Sequence, residues 1–312
     1  MEIYLALAGI TGAALLLLQS KPLPSEAEFQ KASDKLKVTQ SDPDANLTVG
    51  KYLCFVLGDY KNGLPYLQNS SDKNLKTLAD HEIDPSYTDT ALKKIGMGDE
   101  YVAAAKNFKP LYKLFYDRAS QWYALSWGDL DEVWKGKLRD RFHKMYNFPV
   151  DWAKRGKTTD RATGWEGFSD YWGSTLDTTF GHFGKASLKL LSPGKGNDTG
   201  VSGSHTSSYP ATPGKIYAFS AWVLSEQNSP GGGLEFRFID KAGKYIDIKS
   251  VPIPEDSPWW QKLGGEVEAP MNAVRFDINI SAYIKNGVVY VDDLSVLSDG
   301  KQLLKNGGLE EK

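Results

Sequence analysis

Three short runs in the second half of this 312-residue chain set polar side chains in register along extended backbone. Successive side chains of a strand point to opposite faces, so alternation sorts each run into two sides. From Ile216 to Val223, Tyr217, Phe219, Ala221 and Val223 make the apolar side, and Ser220 and Trp222 the other. From Leu234 to Phe238, Leu234, Phe236 and Phe238 leave Glu235 and Arg237 opposite. From Val274 to Ser281, Val274, Phe276, Ile278 and Ile280 leave Arg275, Asp277, Asn279 and Ser281 opposite. With each apolar set packed inward, Trp222 is expected to share an outward face with Glu235, Arg237, Asp277 and Asn279. An indole among donors and acceptors suits a sugar ring, which stacks its C–H surface on the aromatic and hydrogen-bonds at its rim. The competing reading leaves Trp222 packed beneath a loop or helix. Tyr171, Trp172, Phe180, Trp259 and Trp260 form a second aromatic set whose alternative role is to anchor loops.

Other chemistries find little support. No G-x-S-x-G motif occurs, and spacing connects no Ser, His and Asp into a nucleophilic set. His81, His143, His182 and His205 lie far apart, and the single cysteine, Cys54, excludes both a zinc-finger pattern and an intrachain disulfide. Gly231-Gly232-Gly233 lacks the Lys-Ser/Thr of a phosphate loop and reads as a hairpin turn. Among 39 acidic residues no catalytic pair stands out, so an enzyme is not expected. The net charge of −2 offers no broad basic field for nucleic acid.

These runs need a scaffold. Alternating segments separated by Gly, Pro, Asn or Asp continue from about Gly184 to Val296, the pattern of an antiparallel β-sandwich. The pieces FGKASLKL, PGKIYAFSAWV, FIDKAGKY, W-Q-K-L, AP-x-NAVRFDI and VYVDDLSV, in that order, resemble the CenC-like carbohydrate-binding modules over about residues 165–296. The resemblance implies a two-sheet jelly roll that binds glycans on a sheet face or at loop tips, often with a structural calcium ion. It implies Asp292 and Asp293 as calcium ligands, Asp293 the favoured one because it shares a strand face with Val289 and Val291. The W-Q-K-L pattern makes Trp260 the core indole and leaves Trp259 as the ligand candidate. LLKNGGLEEK resembles the opening strand of the same modules. It is expected to fold back as the edge strand missing before Trp165, bringing Glu310 to the calcium site. The alternative is the start of a second module.

The first half reads differently. Ile3 to Leu18 is an apolar run, read as a signal peptide over residues 1–20, with a membrane anchor or a buried helix as alternatives because Glu2 stands where a basic residue is usual. Residues 21–146 read as short helices paired through turns, a TPR-like stack. The run from GKYLCFVLGDYKNGLPYL to RASQWY is similar to a helical region of planctomycete-type surface proteins. Lys61-Asn62-Gly63 is expected to turn the chain, and Gly96 to Gly98 to interrupt a helix. Residues 147–163 read as a polar linker and 164–312 as the sandwich. The whole is an exported or cell-surface protein of helical and β-sandwich domains, non-catalytic, binding polysaccharide or glycoprotein glycans, with a possible protein partner at the helices. A sandwich that has lost sugar binding, or an accessory part of a glycoside hydrolase, are the other readings.

Overall fold

The computed structural model describes residues 23–109, 111–149, 153, 162–169, 171–194, 201–226 and 231–310. The expected signal peptide or anchor and most of the expected linker lie outside the described residues. Among these residues no helix is long and apolar enough to cross a membrane. The chain divides into two compact units, Met1–Gly136 and Lys137–Lys312.

The first unit is built from helices α1 (Glu26–Val38), α2 (Pro43–Lys51), α3 (Tyr60–Gln68), α4 (Lys73–Ile83), α5 (Ala91–Ala105) and α6 (Tyr112–Trp127), with the start of α7 (Glu132–Tyr146). Their starts follow from local chemistry. Ser25 and Glu28 form a capping box, while Asp42, Asp59, Asp72 and Thr90 each accept a backbone N–H of the first turn. Such caps satisfy donors that have no carbonyl within the helix. Two expected breaks are absent. Asn62 and Gly63 lie within α3, whose cap at Asp59 starts the helix before them. α5 runs unbroken through Gly96 and Gly98, because the face of Gly98 receives the ring of Tyr123 from α6, 2.4 Å from where a Cβ would stand. The buried centre includes Leu64, Leu75, Met97, Tyr101, Phe115 and Tyr123. One charged pair is buried with them: the Glu82 carboxylate accepts from Tyr101 and Arg118, and the guanidinium lies 4.0 Å over Tyr60.

The second unit is a β-sandwich, as the alternation predicts. Its twelve named strands are β1 (Trp165–Glu166), β2 (Ser174–Asp177), β3 (Ser187–Leu190), β4 (Val201–Thr206), β5 (Tyr209–Pro210), β6 (Ile216–Glu226), β7 (Gly232–Ile239), β8 (Tyr245–Pro252), β9 (Ser257–Glu268), β10 (Arg275–Tyr283), β11 (Val288–Ser298) and β12 (Lys301–Gln302). One sheet runs β1-β4-β10-β7-β8 with β5 beside β10, and the other β2-β3-β11-β6-β9 with β12 beside β11. Every pairing is antiparallel. The apolar sides meet between the sheets: Tyr217, Phe219, Ala221 and Val223 of β6 are buried with Phe236 of β7 and Phe276 and Ile278 of β10. Phe236 stacks on Phe276 at 4.7 Å. Val274, expected among them, precedes β10 and is 40% exposed.

This unit begins at Lys137, inside α7, ahead of the expected start at residue 164. The second half of that helix is part of its packing: Phe142 meets Trp259 at 5.1 Å, and Arg139 forks onto Asp256 at 2.7 and 3.1 Å while also donating to Glu226. The carboxyl-terminal segment does fold back. Leu304 and Leu309 are buried in the sandwich core, and Leu294 donates its N–H to the Gly307 carbonyl at 2.9 Å. Among its described residues, 303–310, it forms no strand, so the expected edge strand is corrected to an irregular plug.

Candidate functional site

The outward side of the first sheet carries a polar ladder. Strand pairing aligns Glu166, His205, Asn279, Glu235 and Ser250 across five strands. A second register aligns Asp277, Arg237 and Ile248. Paired residues of an antiparallel sheet point to the same side, so four of the expected binding residues, Glu235, Arg237, Asp277 and Asn279, share one face.

These groups are held in place by one another. Arg237 makes a bidentate contact to Asp277, Nε to Oδ1 at 2.7 Å and Nη2 to Oδ2 at 3.0 Å. The fork geometry of guanidinium and carboxylate fixes both side chains. The Tyr245 ring lies 4.4 Å from the guanidinium carbon, and its hydroxyl donates to Asp277 Oδ2 at 3.3 Å. Burial first, and the Asp277 charge second, raise the Tyr245 phenol above its ordinary pKa, so it remains a donor. Asn279 Nδ2 donates to Glu235 Oε2 at 2.8 Å.

A cavity of about 330 Å³ opens on this face, lined by Trp172, His205, Arg237, Tyr245, Asn279 and Ser281, with Gly203 in its floor. Trp172 is 39% exposed and Tyr245 45% exposed. Tyr171 packs edge-on against Trp172 at 4.9 Å. The Trp172 carbonyl accepts the Gly203 N–H at 3.0 Å, which ties the aromatic loop to β4. The face therefore offers two aromatic surfaces over a floor of amide, imidazole and hydroxyl groups.

Two expected members lie elsewhere. Trp222 stands on the outward side of the second sheet, in register with Asp292 and Lys262, and its ring stacks on His182 at 4.0 Å. Alternation fixes the side of a strand on which a residue lies but not the sheet to which the strand belongs, and β6 and β7 lie in different sheets. Trp259 is buried against Phe142, so Trp259 and Trp260 are both inside. The α7 segment covers the side of β9 that strand alternation leaves open. Tyr245, His205 and Ser281 are the site residues that the sequence reading missed. Ser281 falls on the correct side by alternation, whereas His205 and Tyr245 belong to β4 and β8, whose runs carry weak apolar patterning.

The three acids expected at a calcium site come to one end of the sandwich but are turned to N–H groups. Asp292 accepts from the backbone of His182 and Asp293, each at 2.7 Å, and Asp293 Oδ2 faces His182 Nδ1 at 2.8 Å. Glu310 Oε1 accepts from Lys185 and Ala186 at 2.7 and 2.9 Å. Burial, with the Asp293 charge second, pushes the Asp292 carboxyl up to about 8. Among the described residues no group of three His, Cys, Asp or Glu side chains is arranged to hold a metal ion.

The chain matches no protein-family model and no curated protein. Solved structures similar to its second half include the enzymatically active domain of bacteriophage CBA120 tailspike protein 4, at 16% identity and a TM-score of 0.35, over 45% of this chain and 20% of that one. A family 16 carbohydrate-binding module is 15% identical with a TM-score of 0.34, over 43% of this chain and 91% of that one. The CBM22-1 xylan-binding domain of Paenibacillus barcinonensis Xyn10C is 14% identical with a TM-score of 0.33, over 45% and 90%.

Proposed function

We propose that the β-sandwich binds a glycan chain along the outward face of β4, β10, β7 and β8. The observation that carries this reading is the pairing of two partly exposed aromatic residues, Trp172 and Tyr245, around one cavity floored by Asn279, His205 and Ser281. A sugar ring presents C–H surface to an aromatic plate and hydroxyls to the polar groups beside it. The carboxylates nearby are committed to neighbours, Asp277 to Arg237 and Glu235 to Asn279, which suits binding better than acid–base catalysis. In this reading the protein is exported, works outside the cell or at its surface, and offers its helical unit to a protein partner.

Binding to an array of neutral and acidic polysaccharides tests the proposal on the full chain. Trp172→Ala and Asn279→Ala should each weaken binding at least about tenfold, a loss of roughly 1.4 kcal/mol. Trp172→Ala should leave stability within about 1 kcal/mol, because the ring is exposed. No glycan bound by the wild type, or unchanged binding in both folded variants, sinks it.

A further inference from the structure

We infer that hydrogen bonds centred on His182, and not a calcium ion, close this end of the sandwich. The inference starts from three chain segments that meet here from distant parts of the sequence. His182 lies between β2 and β3, Asp292 and Asp293 in β11, and Glu310 in the carboxyl-terminal plug. A calcium ion would join such segments by drawing six to eight oxygens around itself. Here N–H groups do the joining.

Four of the six carboxylate oxygens have a hydrogen-bond partner across these segments or within the backbone. Asp292 Oδ2 accepts the His182 backbone N–H and Oδ1 the Asp293 backbone N–H. Asp293 Oδ2 lies 2.8 Å from His182 Nδ1, within hydrogen-bond reach, and the Nδ1–H tautomer of the imidazole donates to it. Glu310 Oε1 takes the N–H groups of both Lys185 and Ala186. Each of the three acids thus binds a segment other than its own neighbours, or is fixed by one that does. The His182 side chain is 0% exposed, roofed by Trp222 at 4.0 Å and flanked by Trp260 at 5.5 Å. The imidazole is thus closed off from water, while Asp293 across the bond is 29% exposed. The same arrangement accounts for Trp222, whose ring covers the histidine. At Asp293 the backbone takes φ +48°, beside the irregularity between Asp292 and Ser295 that turns the two adjacent acids toward different partners.

Calcium content and melting temperature of the full chain test this directly. After dialysis against a chelator and return to millimolar calcium, the protein should retain no stoichiometric ion. Its melting temperature should be the same in both conditions, whereas a native-state ligand in excess raises it. His182→Ala should melt lower by about 4 °C or more, with no recovery in calcium, and His182→Asn, which keeps a donor near the Nδ1 position, should recover part of the loss. One calcium ion per chain, a calcium-dependent rise in the wild-type melt, or a wild-type melt in His182→Ala overturns the inference. Should His182→Ala fail to fold, the wild-type calcium measurement decides alone.

Discussion

At the level of single residues, Arg237 and Asp277 set the terms of the outward face of the first sheet. Their side chains are 14% and 4% exposed, so neither charge has ready access to bulk water. Forming such a pair gains little net stability, but removing one member strands the other. Arg237→Ala should therefore destabilise the sandwich by about 3–5 kcal/mol, the cost of an unpaired buried carboxylate. Asp277→Asn should cost less, because the guanidinium keeps the Tyr245 ring beside it. Denaturant melts of the two variants check this. Equal, small losses would mean that Asp277 finds another partner or protonates, and that the face tolerates the loss of its central ion pair.

At the scale of elements, α5 and the strands teach different lessons. Gly96 and Gly98 look alike in sequence, yet a Cβ at Gly96 meets nothing within 4 Å, whereas at Gly98 it meets the Tyr123 ring at 2.4 Å. Gly96→Ala should stabilise by up to about 1 kcal/mol through helix propensity. Gly98→Ala should destabilise by about 1–3 kcal/mol, because overpacking at the α5–α6 contact outweighs that gain. Thermal melts of the pair separate the two effects, and equal shifts would refute the close packing. A glycine that breaks a helix and one that admits a neighbour read the same until the neighbour is known. The strands were more legible, since a period of two with Tyr217, Phe236 and Phe276 on one side requires a sandwich core. What alternation does not carry is sheet membership. It put Glu235, Arg237, Asp277 and Asn279 on one face correctly because β7 and β10 are neighbours, and misplaced Trp222 because β6 is not among them. Trp259 was misread for a related reason, as the group covering it comes from a helix outside the resembling region.

For the molecule as a whole, the unit boundary matters most. The second unit starts at Lys137, and Phe142 of α7 is 0% exposed against it. A fragment of residues 137–312 should melt cooperatively, whereas residues 164–312 should melt far lower or aggregate, having lost the cover over Trp259. Phe142→Ala within 137–312 should cost about 3–5 kcal/mol, as for other large buried aromatics. Light scattering and melts of both fragments settle the matter, and a shorter fragment as stable as the longer would return the boundary to the residues after α7.

Glu310 closes onto the N–H groups of Lys185 and Ala186, with Leu309 buried in the core behind it, across a separation of 125 residues from Lys185. Synthesis runs in the opposite sense to that closure. A nascent chain emerging from the ribosome carries β2 and β3 exposed for the whole time that the later strands are being made. Contacts of such long range form slowly, and unpaired strand edges are sticky while they wait. The sandwich is thus expected to be most prone to aggregation before its plug arrives, and slower synthesis at lower growth temperature should raise its soluble yield, which fractionation of expressing cells would show.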